Sequence, residues 1–151
     1  MKLTEDLELV AWPVTYYAFV QKVGPFLSSA PAAWQSAHAC VPDLSKHNRI
    51  AGYMSLYKMP QQIYRAGFVL EEPPAELPAC LAYEVFPGGM YVKFVLTGSY
   101  SLLPQASSRV FEVVADRGIA LRDDFYIENY VNDPRTTPEA ELVTEILVPV
   151  S

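Results

Sequence analysis

The chain has 151 residues, 51% of them hydrophobic, with a formal charge of −6. That length supports one domain or two small halves sharing a core. The hydrophobic content excludes disorder, and eleven scattered basic residues provide no clustered surface for nucleic acid.

The opening Met1-Lys2-Leu3-Thr4-Glu5-Asp6 is acidic and is no signal peptide. No segment is long and apolar enough to span a membrane, so a cytoplasmic protein is expected. Leu7 to Val23 is apolar, β-branched and aromatic and reads as one long strand, ended by Gly24-Pro25. A helix follows with Ser28 or Ser29 as N-cap and Pro31 in its first turn. Ala30, Ala33, Trp34, Ala37 and Val41 fall on its buried face, and Pro42-Asp43 closes it. Ile50 to Lys58 and Tyr64 to Glu71 read as an antiparallel pair. Glu71-Glu72-Pro73-Pro74 is a linker, because paired prolines cannot continue a ladder.

The second half repeats that order. Cys80 to Phe86, a Pro87-Gly88-Gly89 turn and Met90 to Thr97 form its strands, with glycines taking positive φ cheaply. Gly98 ends the run, Ser101 caps a helix with Pro104 in its first turn, and Leu103, Ala106, Val110, Val113 and Val114 make its buried stripe. Phe125 to Asn132 and Leu142 to Val148 are the last strands. An offset of 74 aligns Tyr17 with Tyr91, Gly24 with Gly98 and Phe26 with Tyr100. An offset of 73 aligns Tyr53 with Tyr126 and Tyr57 with Tyr130. The reading is one domain of two strand-helix-strand-strand repeats, about residues 5–72 and 79–151, with an α+β fold. Two helices pack on an antiparallel sheet, and a pseudo-two-fold central groove is the natural ligand site.

Strand alternation in Asp124 to Val131 separates Phe125, Ile127 and Val131, suited to the helices, from Tyr126, Glu128 and Tyr130. In the last strand, Leu142, Thr144, Ile146 and Val148 suit the core, leaving Val143, Glu145 and Leu147 opposite. If the two strands are neighbours, Glu128 and Glu145 are expected to share a face. The first half places Tyr53, Ser55 and Tyr57 where Tyr126, Glu128 and Tyr130 stand, so Ser55 is the uncharged twin of Glu128. Aromatic faces around a partly desolvated carboxylate recognise an organic cation. A solvated outer face would show the same alternation.

Other chemistry is sparse. Cys40 and Cys80 lie far apart in sequence; free buried thiols are the expectation and a disulfide the alternative. His38 and His47 are distant from each other with no matching cysteines, so no metal is expected, and no cofactor. Gly88-Gly89 enters a strand and is no phosphate loop. The serines lack a nucleophile elbow.

The closing run Glu128-Asn129-Tyr130-Val131-Asn132-Asp133-Pro134, then Thr137-Pro138-Glu139 and Leu142-Val143-Thr144-Glu145-Ile146-Leu147-Val148-Pro149, resembles the C-terminal signature of the gyrase-inhibitor-like effector-binding domains. Val23-Gly24-Pro25-Phe26, Pro87-Gly88-Gly89-Met90-Tyr91 and Gly98-Ser99-Tyr100 resemble that family's earlier landmarks. The resemblance implies the duplicated strand-helix-strand-strand (SHS2) module and a pocket for hydrophobic, often cationic, compounds. It puts the pocket glutamate at Glu128 and the acid of the Thr-Glu-Ile segment at Glu145. Members occur fused to DNA-binding domains or alone, and this chain resembles a stand-alone one. Where many such members carry an Arg-x-Asp strand, this chain has Arg65-Ala66-Gly67, which removes the first-half acid and is expected to enlarge the groove.

The leading reading is a binding module for a small hydrophobic or cationic ligand. Glu128 attracts charge, Tyr53, Tyr57, Tyr126 and Tyr130 supply stacking surface, and Ser55, Glu145, Leu147, Phe68 and Trp12 complete the candidate lining. Some stand-alone members hydrolyse cyclopropane-bearing compounds, which would make Glu128 a general base. A protein-interaction role such as gyrase inhibition is the third reading, with no residue pattern specific to it. Haem binding is disfavoured, because neither histidine sits on an expected pocket strand.

Overall fold

The computed structural model describes all residues, Met1–Ser151. The long first strand is interrupted at Pro13, whose nitrogen has no proton to continue a ladder. A short β1 (Lys2–Leu3) precedes β2 (Glu8–Trp12) and β3 (Thr15–Val23). Helix α1 (Phe26–Ala39) starts at Pro25, earlier than Ser28, and runs through Pro31. Pro42 does not close it; proline fits the first turn of a helix, and here it opens a second short helix, α2 (Val41–Ser45). Strands β4 (Ile50–Lys58), β5 (Ile63–Leu70), β6 (Ala82–Phe86) and β7 (Gly89–Thr97) follow. The side chain of Ser99, rather than Ser101, accepts from a backbone N–H at the helix entry. Helix α3 (Leu103–Asp116) then leads to β8 (Tyr126–Tyr130) and β9 (Val143–Pro149).

The α+β chain folds as two compact units, Pro13–Gly88 and Met1–Trp12 with Gly89–Ser151. In the first, the antiparallel order is β4, β5, β3, β6, with α1 packed against β3 and β5. In the second, β7 pairs with β1, β2 and β9, and β9 pairs with β8. Ala106, Val110, Val113 and Val114 of α3 pack on Val92, Phe94, Leu96, Ile146 and Val148, which is the stripe its helical spacing dictates.

The compact units do not follow the sequence halves, because the leading short strands are exchanged. β2 pairs with β7 and β6 with β3. The two registers are copies: Glu8 faces Lys93 and Trp12 faces Gly89, while Ala82 faces Phe19 and Phe86 faces Thr15, the same pairs displaced by 74 residues. Gly24 and Gly98 hold φ of 136° and 134° at equivalent strand ends, a region that disfavours any side chain.

Candidate functional site

Directly opposed residues of an antiparallel pair project on one face. In the unit of residues 1–12 and 89–151, Glu128 is opposite Ile146 and Tyr130 opposite Thr144. Ile146 belongs to the core under α3, so Tyr126, Glu128 and Tyr130 lie on the helix side of the sheet. The expectation had put this set on the far face. Period two fixes which residues travel together but not which set meets the helix, and the set of Ile127 takes the other side. There Ile127 faces Leu147, and both are fully buried.

Glu128 is half-buried. The Tyr130 hydroxyl donates to its Oε1 at 2.9 Å. Burial raises the carboxyl above its ordinary range, the Tyr130 bond works against that rise, and no basic side chain contributes. Aromatic rings frame it. Tyr130 meets Tyr100 edge to face at 5.4 Å, and Tyr126 meets Phe111 of α3 in the same manner at 5.6 Å. Thr144 is fully buried, and its hydroxyl has no hydrogen-bond partner.

Glu145 does not share this face. It sits opposite Asn129, whose amide donates to Oε1 at 2.7 Å, and Lys93 pairs with Oε2 at 3.4 Å. Lys93 also reaches Glu8 at 3.4 Å, so Glu145 is already neutralised within a polar chain. Leu147 shares its face through the β8–β9 register, and Trp12 through the Glu8–Lys93 pairing of β2 and β7. The sheet therefore separates Glu145, Leu147 and Trp12 from Glu128.

In the unit Pro13–Gly88, Tyr53 is opposite Phe68, Ser55 opposite Ala66, and Tyr57 opposite Tyr64. All stand on the α1 side, since Trp34 of α1 places its indole N–H 3.1 Å from the Ser55 hydroxyl and 2.9 Å from that of Tyr64. Ser55 and Tyr64 are themselves 2.6 Å apart. The Trp34 and Tyr53 rings are nearly parallel, with centroids 6.4 Å apart. Phe68 stands perpendicular to both, and Phe26 packs its edge on Tyr57 at 5.5 Å. Helical spacing had assigned Trp34 to the core. A buried indole N–H needs an acceptor, and that need was the available sign of its polar role. Tyr64 carries no sequence mark of its role; the β4–β5 register places it opposite Tyr57.

Two further expectations change. Gly67 opens no space: it is opposite Met54, on the other face from Ser55, and an added Cβ would fall 2.7 Å from the Tyr17 ring and 2.8 Å from Phe19 Cβ. Cys40 and Cys80 are not free thiols; they are joined in a disulfide with a Cα separation of 6.4 Å. The cysteine at the end of α1 is thus tied to the segment before β6.

The model of the GyrI-like small molecule binding domain family matches residues 5–151. No curated protein sequence matches significantly. Among solved structures, the C-terminal domain of EcmrR superposes with a TM-score of 0.80 at 18% identity, covering 97% of each chain. SAV2435 bound to tetraphenylphosphonium gives 0.71 at 14% identity, over 97% of this chain and 94% of that one. A hydrolase from Listeria innocua gives 0.60 at 15% identity, over 97% and 92%. Likeness at these identities is likeness of fold.

Proposed function

Because this chain belongs to the GyrI-like small molecule binding domain family, we propose that it binds a hydrophobic, aromatic cation with Glu128 as the charged contact. The observation that carries this reading is the state of Glu128. Its carboxylate is half-buried, is flanked by Tyr126 and Tyr130, and has a phenol rather than a cation for a partner. A site that holds an acid among aromatic rings without neutralising it favours a positive ligand, through both charge and ring faces. Glu145 serves as the contrast, because Lys93 already occupies it.

Binding is coupled to protons. A raised carboxyl pKa means that part of the population is protonated where a surface glutamate would be ionised. A cation binds the ionised form, so affinity rises with pH through the raised range and then levels off, and binding below that plateau releases a proton.

The test is isothermal titration calorimetry with tetraphenylphosphonium, the compound held by the SAV2435 neighbour. Wild type is expected to bind with affinity that grows with pH. Glu128→Gln is expected to bind about tenfold or more weakly, with the pH dependence gone, since a desolvated ion pair contributes on the order of 2 kcal/mol or more. Recovery of intact compound separates binding from turnover. Equal affinity of Glu128→Gln and wild type across neutral pH would remove the carboxylate from the proposal.

A further inference from the structure

The two repeats build the same pair of sites with different groups. In β4–β5, Ser55 is diagonal to Tyr64, which is opposite Tyr57. In β8–β9, Glu128 is diagonal to Thr144, which is opposite Tyr130. Positions 55 and 57 correspond to 128 and 130, and the strand pairing makes Tyr64 the counterpart of Thr144. In the first pair the long phenol of Tyr64 reaches Ser55, and the oxygens lie 2.6 Å apart. In the second, threonine is a ring shorter, and no bond joins its hydroxyl to Glu128.

The shortfall leaves two polar groups on one face waiting for a third. Thr144 is fully buried with an unpartnered hydroxyl, which is costly unless something satisfies it. Glu128 uses Oε1 for Tyr130 and has no basic neighbour. Tyr130 spans the interval: its backbone is directly across from Thr144 and its hydroxyl is on Glu128. A ligand that displaced this side chain would take over the stretch of the face between the Glu128 carboxylate and the strand position of Thr144. The carboxylate only accepts and the hydroxyl can accept as well as donate, so a cation carrying at least two N–H bonds complements both.

We propose that Thr144 is a specificity-determining residue, selecting protonated primary or secondary amines and amidines over cations without N–H bonds, such as quaternary ammonium or phosphonium. One N–H donates to Glu128 and a second to the Thr144 hydroxyl. A quaternary cation satisfies the charge of Glu128 but leaves Thr144 as it is. A site built around a missing hydrogen bond discriminates through that bond. The inference rests on the cation-binding reading above and adds the chemical class of the ligand.

The experiment compares 1-naphthylmethylamine with its N,N,N-trimethyl derivative by calorimetry, in wild type, Thr144→Val and Thr144→Ser. Valine keeps the shape and removes the unpaired hydroxyl, so the variant is expected to fold with a thermal midpoint no lower than wild type. Wild type is expected to favour the amine about tenfold. Thr144→Val should lose that preference by weakening amine binding alone, and Thr144→Ser, which retains a hydroxyl, should restore it. An amine-to-quaternary ratio in Thr144→Val equal to that of wild type would overturn the role of Thr144 while leaving cation binding intact. Failure of both probes and of tetraphenylphosphonium to bind wild type would overturn both readings.

Discussion

Burial makes Glu128 easier to protonate than a surface glutamate, and that has a consequence for stability as well as for binding. Its folded pKa is raised, so the folded chain holds the proton more tightly than the unfolded one. The stabilising contribution is complete below the ordinary carboxyl range and is lost as pH climbs through the raised value. Glu128→Gln lacks the ionisation. Its thermal midpoint is therefore expected to exceed that of wild type at neutral pH by a few degrees. The gap should close as pH falls through the raised value and be gone below the ordinary carboxyl value of 4.5, which a scan of melting temperature against pH measures. A constant gap at all pH values would mean that ionisation of Glu128 costs the fold nothing. At this scale, alternation alone grouped Glu128 with Tyr126 and Tyr130, and their common face followed. Alternation could not say which face met α3, and so Glu145 was placed beside Glu128 when the register puts it on the far side.

At the scale of an element, β5 shows how packing reads differently from composition. Gly67 lies where the Tyr17 ring and the β3 backbone close over the strand, and Tyr17 crosses it to donate to the Met54 carbonyl at 2.8 Å. An added Cβ would meet the Ala18 carbonyl oxygen, which is backbone and cannot swing away. Gly67→Ala is expected to destabilise the chain by at least ~1–3 kcal/mol, the usual cost of overpacking, as measured by urea denaturation. An unchanged midpoint would show that β3 yields more readily than its burial implies. The buried stripe of α3 was legible in full because a helix with one wet face must repeat its apolar positions. Helix α1 was less so: Trp34 fits the same periodicity, but its indole serves hydroxyls of two strands, and tertiary pairing of that kind leaves no periodic mark. At Pro13 the strand-forming neighbours on both sides mask a break that the missing N–H imposes.

At the scale of the molecule, the duplication was legible from a handful of aligned tyrosines and glycines, whereas the exchange of leading strands was not. Nothing in the composition of β2 says that its ladder belongs with β7, because local preference is indifferent to which strand supplies the hydrogen bonds. The exchange has a consequence for one repeat taken alone. Each long strand takes as its edge neighbour a short strand encoded in the other repeat, in identical register. A single repeat on its own would leave the β3 edge open and one short strand with nothing to pair. Two copies of that repeat, each lending its short strand to the other, would satisfy both needs by domain swapping. A fragment of residues 1–78 is therefore expected to form a homodimer, with β2 of each copy in the place of β6 of the full chain. Light scattering at micromolar concentration distinguishes this from a folded monomer, which would contradict it. Two repeats joined in one chain have a freedom that a homodimer of one repeat lacks: matched positions can differ. Position 55 is a serine and position 128 a glutamate, so two strand pairs laid down in one pattern present a neutral hydroxyl in one unit and a carboxylate in the other.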